Sequence, residues 1–226
     1  MSTTLAELLA RTRYLLLDFD GPICAIFAGR PARTVVAELL ELLAHRAVDV
    51  PPELTMTRDP FDILRYAAGI GPELAEEVER VLTAAELDAV RTATPTPHAT
   101  DVICRWHHAD RHVAVVSNNS AATIDAYLAA HQIDVDATAA RSSADPRLLK
   151  PHPHLVLQAI AELHADPDAT TLVGDSVSDV AAAHAAGIAS IGYANKPGKH
   201  NALATAGAHV VIERITSLAA APAPTR

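Results

Sequence analysis

Short apolar runs recur along this chain, and each is followed at once by small polar or acidic residues. Residues 14–17 are followed by Asp-Phe-Asp-Gly, residues 113–116 by Ser-Asn-Asn-Ser, and residues 171–173 by Gly-Asp-Ser. Continuous runs of this length are typical of strands that are buried on both faces. Three weaker strand candidates have a similar character, at residues 136–140, 189–192 and 209–212.

Helical patterns lie between these runs. Ser120 is placed to cap a helix, Pro153 can open another, and the segment 177–186 stops at Gly187, a usual helix terminator. Strands that alternate with helices predict an α/β fold, in which a parallel sheet is covered by helices on both faces.

The pattern between the first and second strands is different. Asp59 followed by Pro60 gives a helix start, and Pro72 opens a longer helix with apolar residues at spacings of three and four. We find no convincing strand there, and the Thr-Pro-Thr-Pro sequence at 94–97 reads as a stiff linker. We therefore expect a core formed by residues 1–21 and 95–226, with an all-helical domain at residues 22–94 inserted after the first strand.

The charge balance narrows the range of partners. The chain has 18 Lys and Arg against 27 Asp and Glu, a net charge of −9 with His neutral, and it has no basic run, so we expect no nucleic-acid binding. No apolar segment reaches the roughly 18 residues that a membrane span needs, and the first residues show no signal peptide. We expect a cytoplasmic protein without membrane contact, and a frayed tail after Leu218.

Cysteine, histidine and lysine side chains could each mark a functional site in this chain. Cys24 and Cys104 match no metal or redox spacing, and the histidines lack partner ligands at suitable distances along the chain. The lysines are Lys150, Lys196 and Lys199, so Lys150 is the single lysine of the first 195 residues. We therefore interpret Lys150 as a candidate functional residue.

Polar groups at the carboxyl ends of parallel strands meet at one edge of the sheet. Clustered carboxylates repel one another unless a cation or hydrogen-bond donors offset their charge, and oxygen ligands without His or Cys favour Mg²⁺. A metal, a lysine and a hydroxyl around a carboxylate indicate a phosphate site in which the carboxylate is the nucleophile. The groups expected at this edge are four carboxylates, one hydroxyl and one ammonium, from Asp18, Asp20, Asp175, Asp179, Ser117 and Lys150.

Four motifs occur in a specific order, each at an expected strand end or loop. They are Asp-Phe-Asp-Gly at 18–21, Ser117, Lys150 followed by proline, and Gly-Asp-Ser-Val-Ser-Asp at 174–179. Over roughly residues 13–192 this set resembles the haloacid dehalogenase-like phosphatase superfamily, in particular its phosphoglycolate phosphatase-like and β-phosphoglucomutase-like members with a helical C1-type cap. The resemblance implies a Rossmann-like core with a cap, and a Mg²⁺-dependent phosphatase that hydrolyses a small-molecule phosphomonoester through an aspartyl phosphate.

The resemblance also implies roles for individual residues. Asp18 is then the nucleophile and Asp20 the general acid and base. Ser117 and the backbone N–H of Asn118 hold the phosphoryl group, and Lys150 neutralises charge. The Mg²⁺ ligands it implies are the Asp18 carboxylate, the Asp20 backbone carbonyl and the Asp175 carboxylate, with Asp179 as a direct or water-mediated support.

The stretch after the first motif departs from the family pattern at one position. Pro22 stands where the family usually has Thr or Val, and proline fixes φ and removes a backbone donor. Residues 22–30 lead from the site to the insertion, and we expect Phe27 and Arg30 to face the leaving group of the substrate.

Two other functions remain open at this stage. A sugar phosphomutase of the same superfamily needs a cap that holds a second phosphate, and this insertion has scattered arginines and no lysine. A catalytically silent binding protein on the same fold usually lacks one of Asp18, Asp20 and Asp175, and all three are present. We expect a hydrolase that acts as a monomer or homodimer, on a substrate that the sequence does not identify.

Overall fold

The computed structural model describes residues 3–220, and its centre is a six-stranded sheet in which all neighbouring strands are parallel. The α/β fold with a parallel sheet is therefore confirmed, and each strand expected from the sequence is present. In spatial order the strands are β5 (Ala137–Arg141), β4 (His112–Ser120), β1 (Tyr14–Leu17), β6 (Thr170–Gly174), β7 (Ala189–Tyr193) and β8 (Val210–Ile212).

Helices cover both faces of this sheet. Leu15 and Leu17 belong to one apolar cluster and Leu16 to another, and none of the three is more than 1% exposed. Burying one such side chain contributes about 2 kcal/mol, so β1 is stabilised from both sides. The first cluster includes α1 (Leu5–Arg11), α6 (Ala99–His108) and α7 (Ala121–His131), the second includes α8 (His154–Glu162) and α9 (Val177–Ala185), and α10 (Lys199–Thr205) packs on β7.

The helix ends follow the local sequence signals. Ser120 caps α7, where its hydroxyl accepts a hydrogen bond from the backbone N–H of Thr123. Helix α9 ends just before Gly187, whose φ of +73° is the left-handed conformation that glycine adopts without strain.

Residues 26–93 form four helices that surround a third apolar cluster. Asp59 caps one of them, because its carboxylate accepts a hydrogen bond of 3.0 Å from the backbone N–H of Phe61. We call this segment the insertion; its helices are α2 (Ala32–His45), α3 (Pro52–Thr55), α4 (Pro60–Ile70) and α5 (Pro72–Val90).

The expectation of no strand between residues 22 and 94 is wrong at both ends of that stretch. Two short strands, β2 (Cys24–Ala25) and β3 (Thr94–Pro95), pair antiparallel where the chain enters and leaves the insertion. The chain enters and leaves the insertion side by side, so the two crossings can pair their backbone N–H and C=O groups with each other. Two residues carry no readable periodicity, so the sequence pattern could not reveal this pair.

Short 3₁₀ helices complete the described chain, at Pro146–Leu148, Pro167–Ala169 and Ile215–Ala220. The frayed tail expected after Leu218 lies largely in residues 221–226, outside the described residues. Among residues 3–220, none of the helices combines the length and the apolar character that a bilayer crossing requires.

Candidate active site

Three neighbouring strands deliver the polar motifs to one edge of the sheet. Strand β1 lies between β4 and β6, so Asp18 directly follows the central strand of the three. The backbone N–H of Asp18 donates a 2.9 Å hydrogen bond to the carbonyl of Val173, which keeps the chain in register beyond the end of β1. Ser117 lies near the end of β4, and Asp175 directly follows β6. The topology thus brings together motifs that are up to 157 positions apart, from Asp18 to Asp175.

Asp18 is held in one orientation by two hydrogen bonds to a single carboxylate oxygen. Its Oδ1 accepts from the backbone N–H of Phe19 at 2.7 Å and lies 2.9 Å from the Nζ of Lys150. Among residues 3–220, no hydrogen bond is formed to its Oδ2. The side chain therefore has one anchored oxygen and one free oxygen.

Asp20 lies two residues further along the same turn and is half-buried. Its Oδ1 accepts a hydrogen bond of 3.0 Å from the backbone N–H of Ile26. The next residue, Gly21, has a φ of +107°, and a Cβ at that position would lie 2.6 Å from the carboxylate carbon of Asp175. Only glycine allows this turn to approach Asp175 so closely.

Lys150 is the central cation of the cluster and is 2% exposed. Its ammonium donates to Asp179 Oδ1 at 2.6 Å, to the carbonyl of Val116 at 2.9 Å, and to Asp18 Oδ1 at 2.9 Å. These contacts use all three N–H donors of the ammonium. The backbone of Lys150 is fixed as well, because the Asn118 side chain donates to its carbonyl at 3.1 Å and accepts from its N–H at 2.8 Å.

Asp179 lies in the first turn of α9 and its carboxylate is fully engaged. Its Oδ1 contacts Lys150, and its Oδ2 accepts from the backbone N–H of Ser176 at 3.0 Å and from the Ser176 hydroxyl at 2.6 Å. This arrangement is a capping box, which fixes the start of α9. A Cβ on Gly174 would lie 2.2 Å from the Asp179 carboxylate carbon, so glycine is required there too.

Asp175 is bound by a separate set of donors from the segment after β7. Its Oδ2 accepts from the side-chain amide of Asn195 at 2.8 Å and from the ammonium of Lys199. The carbonyl oxygen of the Asn195 side chain is buried and has no hydrogen-bond partner among the described residues. This orphaned acceptor indicates a place for a donor that residues 3–220 do not provide.

The pKa values of Asp18 and Asp20, the two acids of the first motif, differ from those of exposed aspartates. Burial raises the pKa of Asp18 to about 7; the charge of Asp179 adds to that shift, and Lys150 offsets part of it. Burial also raises the pKa of Asp20 to about 6, opposed by the hydrogen bond from Ile26. Burial alone would lower the pKa of Lys150, but Asp179 and Asp18 outweigh it and raise that pKa, so the ammonium persists.

The three acids at this edge fit a hard divalent cation. Carboxylate oxygens of Asp18, Asp175 and Asp179 lie within 4.8 Å of one another, and oxygen-only donors suit Mg²⁺. Asp18 and Asp175 each keep one oxygen without a hydrogen bond from residues 3–220, whereas both oxygens of Asp179 are engaged. The donor set therefore fits direct coordination by Asp175, with Asp179 as a support and the free oxygen of Asp18 beside the cation.

Ser117 is fully buried at the end of β4, beside Asn119. The Ser117 hydroxyl donates to the Asn119 side-chain oxygen and accepts from the Asn119 backbone N–H, each at 3.3 Å. Asn118 is engaged with Lys150 through its side chain and accepts from Arg141 through its carbonyl. Asn118 and Lys150 therefore form one hydrogen-bonded pair, and the Ser117 hydroxyl is bonded to the neighbouring Asn119.

The two residues expected to face the leaving group are placed differently. Arg30 forms ion pairs with Glu38 at 2.6 Å and with Asp88 at 2.9 Å, so its guanidinium is neutralised within the insertion. Phe27 is half-buried and packs against the apolar clusters of both the core and the insertion. Within residues 3–220, neither forms a hydrogen bond with the carboxylate cluster.

Sequence reasoning missed two sets of residues at this edge. Lys199 and Asn195 contact Asp175, and the scarcity of lysine that drew attention to Lys150 applies equally to Lys199. Glu86 and Arg141 form a buried ion pair at 2.7 Å next to Ser117 and Asn119. One feature of the sequence could have revealed Glu86. It lies between Leu82 and Ala89 on the buried face of α5, where an acidic residue is unusual.

Several solved structures share this fold across most of their length. CbbY from Rhodobacter sphaeroides in complex with phosphate has 21% identity and a TM-score of 0.68, covering 92% of this chain and 96% of that one. A CbbY variant from the same organism, in complex with xylulose-(1,5)bisphosphate, has 21% identity and a TM-score of 0.67, with coverage of 90% and 95%. A hydrolase from Pseudomonas syringae has 18% identity and a TM-score of 0.68, with coverage of 92% and 96%. No curated protein matches the chain.

The family comparison covers more than half of the sequence. Residues 59–193 match the family model described as haloacid dehalogenase-like hydrolase. The match includes Ser117, Lys150, Asp175 and Asp179, and the sheet places Asp18 beside them although it precedes the matched range. The chain therefore belongs to the haloacid dehalogenase-like hydrolase family.

Proposed function

We propose that this protein is a Mg²⁺-dependent phosphatase that hydrolyses a small-molecule phosphomonoester through an aspartyl phosphate on Asp18. The observation that carries the proposal is the asymmetry of the Asp18 carboxylate. Lys150 and the Phe19 N–H anchor Oδ1, while Oδ2 is free of hydrogen bonds from residues 3–220 and is available to attack. An anchored carboxylate with one free oxygen is suited to nucleophilic catalysis.

In the first step the free oxygen of Asp18 forms a bond to phosphorus, and the bond between phosphorus and the ester oxygen breaks. Asp20 donates its proton to that departing oxygen, which leaves as an alcohol. A carboxyl with a pKa of about 6 is protonated in a useful fraction of molecules near neutral pH. The ammonium of Lys150 offsets the charge on the phosphoryl oxygens in this step, and the Ser117 hydroxyl can donate to one of them by exchanging its 3.3 Å hydrogen bond to Asn119.

In the second step Asp20, now a carboxylate, accepts a proton from water. The water oxygen attacks phosphorus, the bond to Asp18 breaks, and inorganic phosphate is released. The protonation state left by the first step is therefore the one that the second step needs. Mg²⁺ bound by Asp175 beside Asp18 would supply positive charge that lets an anionic nucleophile approach an anionic ester.

The insertion favours hydrolysis over transfer to a second hydroxyl. A phosphomutase needs a cation in the insertion for a second phosphate; the insertion has no lysine, and four of its seven arginines are paired with acids. These pairs are Arg30 with Glu38 and Asp88, Arg46 with Glu77, Arg65 with Asp59 and Asp62, and Arg91 with Asp88. The substrate class is supported by the CbbY structures, which hold phosphate and a bisphosphorylated sugar.

The proposal is tested by a panel of small phosphomonoesters assayed for released phosphate with Mg²⁺ and with EDTA. We expect hydrolysis of at least one ester with Mg²⁺, loss of hydrolysis in EDTA, and recovery when Mg²⁺ is restored. The Asp18→Asn variant is the control for contaminating phosphatases and is expected to be inactive. Equal activity in the wild type and Asp18→Asn, or full activity in protein verified to be metal-free, contradicts the proposal.

A further inference from the structure

A fully buried acid of the insertion reaches into the core beside Ser117. Glu86, in α5, is 0% exposed. Its carboxylate accepts hydrogen bonds from the Asn119 side-chain amide at 3.1 Å, from the Ser120 backbone N–H at 2.9 Å, and from Arg141 at 2.7 Å. The insertion therefore contacts the last residues of β4 through a charge, as well as through apolar packing.

Arg141 is the partner of this acid and comes from the end of β5. Its side chain is 1% exposed, and its Nε donates to the carbonyl of Asn118 at 3.0 Å. The same guanidinium donates to Glu79 and, at 3.2 Å, to the hydroxyl of Thr83, both in α5. One arginine thus joins the helix of the insertion to the backbone beside Ser117.

Both members of the pair act on a bulge in the sheet. Ser117 pairs with Ala140, and Ser120 pairs with Arg141, so residues 118–119 are looped out of the β4–β5 ladder. Backbone groups in a bulge lose their ladder partners and need others. Arg141 binds the carbonyl of Asn118, and Glu86 binds the N–H of Ser120, so the ion pair takes the place of the missing ladder bonds on both sides.

The orientation of the Ser117 hydroxyl follows from the same contacts. Because Glu86 accepts from the Asn119 amide nitrogen, the amide oxygen of Asn119 must point the other way. That oxygen is the acceptor for the Ser117 hydroxyl. Glu86 therefore acts on Ser117 through Asn119.

Stability alone gives little reason to bury this pair. Removing two charges from water costs several kcal/mol, and apolar residues of similar size often stabilise a boundary equally well. An apolar pair could not bind the carbonyl of Asn118 or the amide of Asn119. The pair is thus suited to holding residues 117–120 in a defined shape.

We propose that Glu86 and Arg141 are positioning residues that orient the phosphate-binding segment 117–120, so that the insertion sets the geometry of the phosphate site. This inference rests on the proposed phosphatase function. In addition to selecting the substrate, the insertion then completes the site that holds the phosphoryl group. It does so through the contacts of α5 with residues 117–120.

The test compares inorganic phosphate binding, by titration calorimetry with Mg²⁺ present, in the wild type and Glu86→Gln. The amide keeps the size of the side chain and removes its charge. We expect about a tenfold weaker phosphate affinity, since hydrogen bonds to a charged group contribute about 1.5 kcal/mol or more. The matched control is Glu77→Gln, which removes the partner of Arg46 from the same helix and is expected to leave phosphate affinity unchanged.

A double-mutant cycle with Ser117→Ala separates positioning from general loosening of the fold. If Glu86 acts through Ser117, Glu86→Gln changes phosphate affinity by less than twofold in the Ser117→Ala background. An equal loss in both backgrounds, or no loss in either, overturns the inference. If Glu86→Gln does not fold, Asn119→Ala replaces it, because it breaks the link to Ser117 and leaves the buried ion pair in place.

The same titrations distinguish this inference from the function on which it rests. A wild type that neither binds phosphate nor hydrolyses any monoester contradicts both. A wild type that does both, with unchanged phosphate affinity in Glu86→Gln, overturns the positioning role alone.

Discussion

The ammonium of Lys150 lies 2.6 Å from a carboxylate oxygen of Asp179, in a contact between two side chains that are each 2% exposed. The contact exists because Gly174 leaves room for Asp179 at the end of β6. Lys150 simultaneously contacts Asp18, so a single cation holds the carboxylate that follows β1 and the carboxylate in the first turn of α9. Asp18 is thus fixed by the same ammonium that binds Asp179.

Removal of this cation should affect both stability and turnover. In Lys150→Met the carboxylates of Asp18 and Asp179 lose their shared partner, which costs about 3–5 kcal/mol in a buried setting. We expect a lower Tm in EDTA and a fall in kcat of about 10² to 10³. Arg147→Met, an exposed position in the same loop, is the control and should leave Tm and kcat nearly unchanged. Wild-type Tm and kcat in Lys150→Met would show that the contact has no such role.

Lys199 should compete with a divalent cation for Asp175. Its ammonium contacts the same carboxylate that fits a Mg²⁺ ligand, and two cations repel each other at that distance. We expect Lys199→Ala to bind Mg²⁺ about tenfold more tightly in calorimetry without substrate. Lys196→Ala removes a nearby positive charge that, within residues 3–220, forms no hydrogen bond or ion pair with Asp175. Its effect on Mg²⁺ affinity should therefore be smaller. Weaker Mg²⁺ binding in Lys199→Ala would mean that the lysine supports the metal.

The raised pKa of Asp20 predicts a specific pH dependence of stability in metal-free protein. Folded Asp20 titrates at about 6 and an unfolded aspartate near 3.8, so between these values the folded state binds more protons. The contribution of Asp20 to stability should therefore fall as pH rises from about 4 to about 6, by on the order of 2 kcal/mol, and stay level above. Asp20→Asn removes this slope, so its Tm in EDTA should exceed that of the wild type at pH 8 more than at pH 4.

A variant with the opposite sign is the control for this measurement. Arg147 lowers the pKa of Asp145 to about 2, so the contribution of Asp145 to stability is present at neutral pH and is lost as pH falls towards 2. Asp145→Asn should accordingly lose a little stability at pH 8. A Tm difference for Asp20→Asn that does not vary between pH 4 and pH 8 would contradict the raised pKa.

The strands, and the polar motifs that follow them, were predictable because their sequence signals are local. Each apolar run, such as Tyr14–Leu17, is a strand buried on both faces, and each helix cap lies in the residues next to it. Strand β4 is longer than its apolar run, because it continues through Ser117 to Ser120 across a bulge. The Ser-Asn-Asn-Ser sequence there reads as a turn, and only pairing with β5 reveals the bulge.

What the sequence did not reveal depends on contacts between distant residues. The Glu86–Arg141 pair joins residues 55 positions apart, and the Lys199–Asp175 pair joins residues 24 apart on different elements. Neither pair follows from periodicity or spacing along the chain. The position of Arg30 after the first motif predicts that it faces the substrate. Its pairing with Glu38 and Asp88 depends on the packing of the insertion and cannot be seen from that position.

The proposed chemistry is tested most directly by trapping the phosphoryl group in Asp20→Asn with p-nitrophenyl phosphate. Nitrophenolate leaves with little need for a proton donor, so Asp18 should still be phosphorylated, but no base then activates water. We expect a burst of about one nitrophenolate per protein followed by slow turnover, with phosphate mapped to Asp18 by acid quench and peptide mass spectrometry. Asp18→Asn should show no burst. Unchanged steady-state turnover in Asp20→Asn, or phosphate on any residue other than Asp18, would contradict the mechanism.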